Sequence, residues 1–256
     1  MERDEPSVLV TGAAHRLGKA IATRFAEAGW HVVIHYRRSA EAAEALAASL
    51  PKAEAVQCDL LDGDAAVAMV ESLAARLPDW RALVNCASLF ERDDVTALDP
   101  VTNERAMEVN ARTPARMAQA YLASAKAKGG RRVIQVTDQK LANPNPDFFS
   151  YTMSKHALAS TVPMLAIGST RSDDRIYALA PGAILASHDQ SEAETELSHR
   201  LNLLGRKTGT DEIADAALFL ASGTLASGQT LYVDSGQHLL KQDRDVIYLA
   251  REGAKL

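Results

Sequence analysis

The sequence has no long apolar run and no excess of basic charge. No stretch approaches the roughly 18 apolar residues of a membrane span, and the charged first residues do not fit a secretory signal. The 256 residues carry a formal net charge of −5 at pH 7. This charge excludes the basic surface that binds nucleic acid or an anionic membrane. We therefore expect a soluble cytoplasmic protein with neither kind of partner.

Cysteine is also scarce, with two residues in the whole chain. Cys58 and Cys86 each follow a predicted strand, and neither lies at a spacing typical of metal ligands. We interpret both as small buried apolar residues in a reducing compartment, and we predict no metal site.

Short apolar runs alternate with helical patterns along the chain. The runs predict strands at 7–10, 31–36, 53–57, 82–84, 133–136, 176–179 and 229–233, and the patterns predict helices at 20–26, 39–50, 62–77, 102–128, 150–168 and 211–221. This alternation predicts an α/β fold with a parallel sheet covered on both faces. We expect one domain over 1–240, with a substrate lid at about 185–205, and a tail over 241–256 that docks on a neighbour or frays.

A glycine turn follows the first predicted strand. It reads Thr11-Gly12-Ala13-Ala14-His15-Arg16-Leu17-Gly18, and a helical pattern comes directly after it. Backbone N–H groups at such a turn, together with the helix dipole, suit a pyrophosphate. A tight turn with no ligand is the alternative.

The tip of the second strand reads His35-Tyr36-Arg37-Arg38-Ser39 and contains no acidic residue. In dinucleotide-binding folds an acid at this tip favours a free 2′-hydroxyl, whereas arginine accommodates a 2′-phosphate. The tip therefore favours NADP(H), with a solvated basic turn as the alternative. Asp59, which ends the third strand beside Leu60, could accept a hydrogen bond from an adenine amine.

The stretch from 131 to 158 contains the candidate acid–base residues. Tyr151 and Lys155 lie four residues apart, so they share one face of a predicted helix. An ammonium there is expected to lower the pKa of the phenol from about 10 and make it a proton donor. Asp138, at the end of the preceding strand, could reach the same point. A Tyr-x-x-x-Lys pair also occurs by chance on many helices.

Six ordered motifs resemble the short-chain dehydrogenase/reductase family over about residues 7–240. They are Thr11-Gly12 with Gly18, Asp59, Asn85-x-Ala87, Asn110, Tyr151-x-x-x-Lys155 and Pro181-Gly182. The resemblance implies a Rossmann-type doubly wound sheet of seven parallel strands, hydride from a nicotinamide cofactor and, commonly, a homotetramer. It also implies that Tyr151 donates a proton, Lys155 holds the ribose and Asn110 supports a water chain.

Asp138 departs from the general pattern of the family, which usually has a serine there that hydrogen-bonds a substrate carbonyl. A carboxylate would repel a developing oxyanion, but it suits a substrate with ring N–H donors or basic ring nitrogens. The pteridine reductase branch, which includes dihydromonapterin reductase, is similar in having an Asp/Tyr/Lys set. It also matches Arg16, the segment from His35 to Ser39, and the segment Asn85-Cys86-Ala87-Ser88-Leu89-Phe90.

The resemblance to this branch implies a set of site residues. The catalytic residues are Asp138, Tyr151, Lys155 and Asn110. The substrate contacts are Arg16, Ser88, Phe90, Asp138 and Tyr151, with Phe90 stacked on the pterin. The cofactor contacts are Gly12, His15, Arg16, Leu17, Gly18, His35, Tyr36, Arg37, Arg38, Ser39, Asp59, Leu60, Asn85, Ala87, Ser88, Tyr151, Lys155, Pro181 and Gly182.

We therefore expect an NADPH-dependent reductase of a pterin or dihydropterin, of the dihydrobiopterin, dihydromonapterin or dihydrofolate type. A reductase of an ordinary ketone or a 3-oxoacyl thioester is the first alternative. A non-catalytic NADP-binding sensor or scaffold is the second. His188, in the polar lid segment, either faces the substrate or is a solvated loop residue.

Overall fold

Seven parallel strands form one sheet in the order β3-β2-β1-β4-β5-β6-β7. The computed structural model describes residues 5–169, 171–186 and 190–253. The strands are β1 Ser7–Val10, β2 His31–Tyr36, β3 Ala53–Gln57, β4 Trp80–Asn85, β5 Arg132–Val136, β6 Arg175–Pro181 and β7 Thr230–Val233. The predicted seven-stranded parallel sheet is confirmed. Because the strand order reverses between β1 and β4, a crevice opens at their carboxyl ends.

Helices cover both faces of the sheet. They are α1 Arg16–Glu27, α2 Ala40–Ser49, α3 Gly63–Arg76, α4 Pro100–Met107, α5 Thr113–Ser124, α6 Phe149–Gly168, α7 Glu192–Ser198, α8 Thr210–Ala221 and α9 Val246–Gly253. One core cluster joins the sheet to α1, α2 and α8, and a second joins it to α3, α5 and α6. Within the described ranges, no helix is both long and apolar enough to cross a membrane.

Strand β1 shows why the strands are almost wholly apolar. Val8 and Val10 pack into the cluster on the α1 side, whereas Leu9 packs into the cluster on the α3 side. All three side chains are fully buried. Successive side chains of a strand point to opposite faces, and both faces of this sheet are covered, so neither face needs polar residues.

The predicted helix over 102–128 is wrong as a single helix. The structure has α4, a π-helical turn at Glu108–Arg112 and then α5, which ends at Ser124. Pro114 has no N–H to continue the helical hydrogen-bond pattern, and the π-helical turn accommodates one additional residue at this point. The chain leaves the helix at Ala125 because the Lys126 carbonyl accepts a hydrogen bond from the backbone N–H of Trp80 at the start of β4.

The C-terminal segment folds onto its own chain. Helix α9 buries Val246, Ile247 and Ala250 and packs against α7. Helix α7 begins with a capping box, in which the Ser191 and Glu194 side chains each accept a hydrogen bond from the other residue's backbone N–H. The segment predicted to be a lid therefore contains helix α7, and the described part of the predicted tail, up to residue 253, packs beside it.

Candidate active site

A cavity of about 640 Å³ lies at the carboxyl ends of β1, β4, β5 and β6. It brings together many of the predicted site residues, which come from distant parts of the chain. Those that line the cavity are Gly12, His15, Arg16, Leu17, Gly18, Ala87, Ser88, Phe90, Asp138, Tyr151, Lys155, Pro181 and Gly182. This crevice is where open parallel sheets bind ligands.

The glycine turn forms the floor at one end of this cavity. Gly12 has φ +67°, which a glycine adopts without strain, and a Cβ on Gly18 would lie 2.4 Å from the Gly12 carbonyl oxygen. Arg16 has φ +54°, a left-handed conformation that costs a side chain about 1 kcal/mol. His15, at the N-cap of α1, makes no side-chain capping bond. The exposed turn and the uncapped helix start fit a pyrophosphate.

His35 supports the turn from below. The Gly12 N–H donates to His35 Nδ1 at 3.1 Å, and His35 Nε2 lies 3.1 Å from the Cys58 carbonyl, to which it donates. Burial lowers the pKa of His35 to about 4, so the ring is neutral near pH 7. Only 2% of the residue is exposed. His35 was predicted to contact the cofactor, but its buried side chain instead supports the glycine turn, which remains the predicted site of the pyrophosphate.

The basic tip of β2 lies outside the main cavity. Arg38 is exposed and Arg37 half-buried, and neither guanidinium has a hydrogen bond or ion pair with any other residue that the structure describes. Ser39 is the N-cap of α2, without a side-chain capping bond, and Tyr36 packs partly against the core. Two unpaired guanidinium groups suit a phosphate.

The two residues after β3 differ in position. Asp59 is half-buried, and its Oδ1 accepts from the Leu61 N–H at 3.1 Å, which leaves Oδ2 free to accept from a ligand amine. Leu60 is 4% exposed and packs into the core with Cys58. Leu60 was predicted to contact the cofactor, and its buried side chain leaves only its backbone for that contact.

The loop after β4 is held by buried polar side chains. Thr11 Oγ1 accepts from the N–H groups of Cys86 and Ala87. Asn85 is 2% exposed and donates to the Pro114 carbonyl and to Gln135 Oε1. Asn85 was predicted to contact the cofactor. Its side chain is instead outside the cavity lining and joins β4 to α5 and β5.

Asn110 lies in the π-helical turn and is fully buried. Its Oδ1 accepts from the Leu89 N–H and the Ser88 hydroxyl, while Nδ2 donates to the Leu89 carbonyl and the Ser154 hydroxyl. Asn110 thus fixes the loop that carries Phe90 against α6. It is a positioning residue in this structure, because its side chain is outside the cavity lining.

Asp138 and Tyr151 are in direct contact. The Tyr151 hydroxyl donates to Asp138 Oδ2 at 2.6 Å, and Asp138 Oδ1 accepts from the Lys140 N–H at 2.8 Å. Burial raises the pKa of Asp138. A carboxyl with a raised pKa carries a proton closer to neutral pH than an exposed aspartate does. The two side chains therefore form an acid–base pair at the cavity wall.

The predicted lowering of the Tyr151 pKa is wrong. Burial and the neighbouring Asp138 carboxylate raise the pKa of Tyr151 well above 10. Lys155 Nζ donates instead to the Val136 carbonyl at 2.7 Å and lies 5.8 Å from the centre of the Tyr151 ring. Burial also lowers the pKa of Lys155 to about 8. Tyr151 therefore keeps its proton and shares it with Asp138.

Phe90 forms one wall of the cavity beside this pair. Its ring stacks on Phe148 with centroids 4.1 Å apart and meets the Tyr151 ring edge-on at 4.7 Å. Phe90 is half-buried, so part of the ring faces the cavity. Phe90 therefore packs in a small aromatic cluster and also lines the cavity, where its ring could contact a flat ligand.

Several cavity residues were missed by the sequence analysis. They are Gln190, Ser198 and His199 around α7, Gln237 after β7, and Asp245, Val246 and Ile247 at the start of α9. The Ser-x-x-Glu signature at Ser191 was the available signal for α7. His188 lies outside the described residues. Arg16 Nη2 donates to the Ala186 carbonyl at 2.9 Å, which joins the glycine turn to the start of the lid segment.

Comparison with known proteins agrees with this geometry. Residues 12–238 match the family model described as Enoyl-(Acyl carrier protein) reductase. The chain is 33% identical to the FolM alternative dihydrofolate reductase 1 from Brucella canis, whose structure was determined with NADP. The TM-score is 0.87, over 94% of this chain and 97% of that one.

Two further relatives are named for different activities. A dihydromonapterin reductase from Citrobacter koseri is 24% identical over 244 residues, which cover 93% of this chain and 100% of its own length. The angucycline C-6 ketoreductase LanV, solved with bound NADP, is 28% identical with a TM-score of 0.83, over 92% of this chain and 96% of its own.

Proposed function

Because the chain belongs to the short-chain dehydrogenase/reductase family and is an NADP(H)-dependent oxidoreductase, we propose that it reduces a pterin or dihydropterin. The observation that carries this proposal is the 2.6 Å hydrogen bond between the Tyr151 hydroxyl and the Asp138 carboxylate. It places a carboxyl beside the tyrosine, where a carbonyl-reducing relative would have a neutral serine hydroxyl. The dihydromonapterin reductase and FolM relatives support the same substrate class.

The charge of Asp138 decides between substrate classes. Reduction of a ketone builds negative charge on oxygen, which a nearby carboxylate would oppose. Reduction of a ring C=N bond instead needs a proton on nitrogen. A carboxyl with a raised pKa supplies that proton, and its ionised form accepts a hydrogen bond from a ring N–H.

The residues present fit an NADP(H) cofactor. The turn from Gly12 to Gly18 would hold the pyrophosphate, and the guanidinium groups of Arg37 and Arg38 would bind the 2′-phosphate. Lys155 would hold the nicotinamide ribose. When bound, the cofactor would supply the hydride for the ring carbon of the C=N bond. The side chains are left to orient the substrate and to move the proton.

Two side chains at the cavity wall serve the proton transfer. Asp138, in its protonated form, would deliver a proton to the substrate nitrogen, directly or through water, and would take up another proton from water afterwards. Tyr151 keeps its own proton, because its pKa lies well above 10, and its hydroxyl holds Asp138 Oδ2 in place. Phe90 would stack on the flat ring and hold it at this point, while Asn110 keeps the Phe90 loop in place.

Reduction of an ordinary ketone or a 3-oxoacyl thioester is the second candidate. The likeness to the ketoreductase LanV favours it. In that case Tyr151 alone would protonate the product oxygen. The Asp138 carboxyl beside it would have to stay in its neutral, protonated form during the reaction.

A substrate panel separates the two candidates. NADPH oxidation would be followed by stopped flow with a dihydropterin, dihydrofolate, quinonoid dihydropterin and a set of ketones and 3-oxoacyl thioesters. We expect turnover with at least one pterin and little with the ketones. Turnover of ketones without turnover of any pterin would overturn the proposal.

We also propose that the protein is a homotetramer. Met153, Met164 and Ile167 form an exposed apolar stripe on α6, and Phe219 on α8 is 45% exposed. Light scattering at low micromolar concentration is expected to give a mass of four chains. Substituting Ile167 with glutamate should reduce that mass, and a monomeric wild type would contradict the proposal.

A further inference from the structure

A buried lysine follows the active-site aspartate by two residues. Lys140 is 4% exposed, and its backbone N–H donates to Asp138 Oδ1 at 2.8 Å. At the other end of its side chain, Lys140 Nζ donates to the Asp147 carbonyl at 2.6 Å and to Asp245 Oδ2 at 3.2 Å. One residue therefore joins the turn that carries Asp138 to the C-terminal segment, 105 residues further along the chain.

The C-terminal end of this connection is also fixed. Asp245 Oδ1 accepts from the Ile247 N–H at the start of α9, and the Asp245 N–H donates to the Asp147 carboxylate. That carboxylate accepts three further hydrogen bonds from Arg244. The side chains of Lys140 and Asp245 are only 5% and 13% exposed. Asp245 also lines the cavity.

We propose that Lys140 and Asp245 are positioning residues of the active site, and that their ion pair uses the C-terminal segment to fix where the Asp138 carboxylate meets the Tyr151 hydroxyl. The part that Asp138 plays in proton transfer rests on the proposed function, whereas the geometry of the Lys140–Asp245 ion pair is independent of it. Helix α9 is thereby part of the active site rather than an appendage after the reductase domain.

The cost of burying charge argues for this role. A buried ion pair contributes little net stability, because desolvation offsets much of its attraction. An apolar pair would pack α9 against the turn equally well. The charged pair instead fixes how the C-terminal segment lies against the turn, because Lys140 Nζ must donate to the Asp147 carbonyl and the Asp245 carboxylate at the same time.

The charges around the acid–base pair come from four segments. Asp138 faces Lys140 from its own turn and Lys155 from α6. Tyr151 faces Asp138, Asp245 from the C-terminal segment and Cys86 from the loop after β4. Asp245 and Lys140 thus act on the pair with opposite sign. Removing the Asp245 charge should therefore lower the pKa values of Asp138 and Tyr151, and removing the Lys140 charge should raise them.

The test uses Asp245→Asn, Lys140→Met and the double variant of the full-length protein. We expect Asp245→Asn to move the alkaline limb of the kcat/KM profile to lower pH, because the Lys140 cation is no longer offset. Lys140→Met should move it to higher pH. Each shift should be about one pH unit, the lower end of the roughly 1–3 units by which a nearby charge moves a pKa. Asp245→Glu keeps the charge and should restore the profile.

Hydrogen exchange gives a readout that needs no substrate. The Lys140 N–H, held by Asp138 Oδ1, should exchange faster in both single variants, and no faster in the double variant than in Lys140→Met. The affinity for NADPH, measured by fluorescence, should stay within about twofold. Arg251→Met is the matched control, since Arg251 is also on α9 and pairs with Glu194 on α7.

Two results would overturn the inference: alkaline limbs that stay in place or move together, or unchanged exchange at Lys140. A wild type that reduces only ketones would contradict the proposed function instead. The pH profiles would then be recorded with the ketone, and the exchange experiment would still decide the role of the pair.

Discussion

The Tyr151 hydroxyl donates a 2.6 Å hydrogen bond to Asp138, thirteen residues earlier in the chain. The two residues lie on different elements, one at the first turns of α6 and the other just after β5. Burial and the neighbouring Asp138 carboxylate raise the pKa of Tyr151. Burial also raises the pKa of Asp138, although the hydrogen bond from Tyr151 works in the opposite direction. The pair therefore holds a proton at the cavity wall near neutral pH.

The stability of the protein should fall in mild acid because of His35. The folded protein keeps this ring neutral, with a pKa of about 4 against an ordinary value of 6.5. The unfolded chain takes up the proton below about pH 6.5, so this contribution to stability is lost as the pH falls from about 6.5 to about 4. The loss should reach about 3 kcal/mol.

Urea unfolding at pH 7 and at pH 4 would measure this loss, with His35→Gln as the control that cannot titrate. The free energy of unfolding of the wild type should fall more steeply with acid than that of the variant. Parallel pH profiles would show that His35 is not neutral in the folded protein.

The two arginines at the tip of β2 should select NADPH over NADH. Arg37→Ala and Arg38→Ala each remove a guanidinium that has no carboxylate partner among the described residues. A hydrogen bond to a charged group contributes about 1.5–3 kcal/mol, so each variant should bind NADPH roughly 10-fold or more weakly. Fluorescence titration should show unchanged NADH binding. Arg24→Ala, a surface arginine paired with Asp215, should leave both affinities unchanged, and equal losses for both cofactors would contradict this assignment.

Substitution at Phe90 should raise the KM of the pterin. Phe90→Leu keeps most of the apolar bulk but loses the flat ring, so we expect a several-fold higher KM with a small change in melting temperature. Phe148→Leu is the matched control, because Phe148 shares the stack but is outside the cavity lining. It should lower the melting temperature and leave the KM nearly unchanged. The reverse pattern would make Phe90 a core residue only.

The sheet was readable from the sequence because its strands are buried on both faces. Continuous apolar runs such as Val8-Leu9-Val10 give a strong signal, and glycine and proline mark their ends. The interruption of α4 and α5 was less visible, because a π turn depends on one added residue and on the contacts of Asn110. Local periodicity does not report either feature.

The site was predictable where motifs are local, as at the glycine turn and on the first turns of α6. The site was not predictable where the role of a residue depends on which way its side chain points. His35 and Asn85 lie in matching motifs, yet their side chains point into the protein. Asp245 reaches the site through a contact between segments 105 residues apart, for which the sequence holds no local signal.

Replacement of Asp138 with serine tests the central claim most directly. The measurement is kcat/KM for a dihydropterin and for a ketone, in the wild type and in Asp138→Ser. General acid catalysis contributes about 100-fold or more, so we predict at least that loss with the dihydropterin, and unchanged or increased turnover of the ketone. An Asp138→Ser protein that reduces dihydropterin as fast as the wild type would contradict the account.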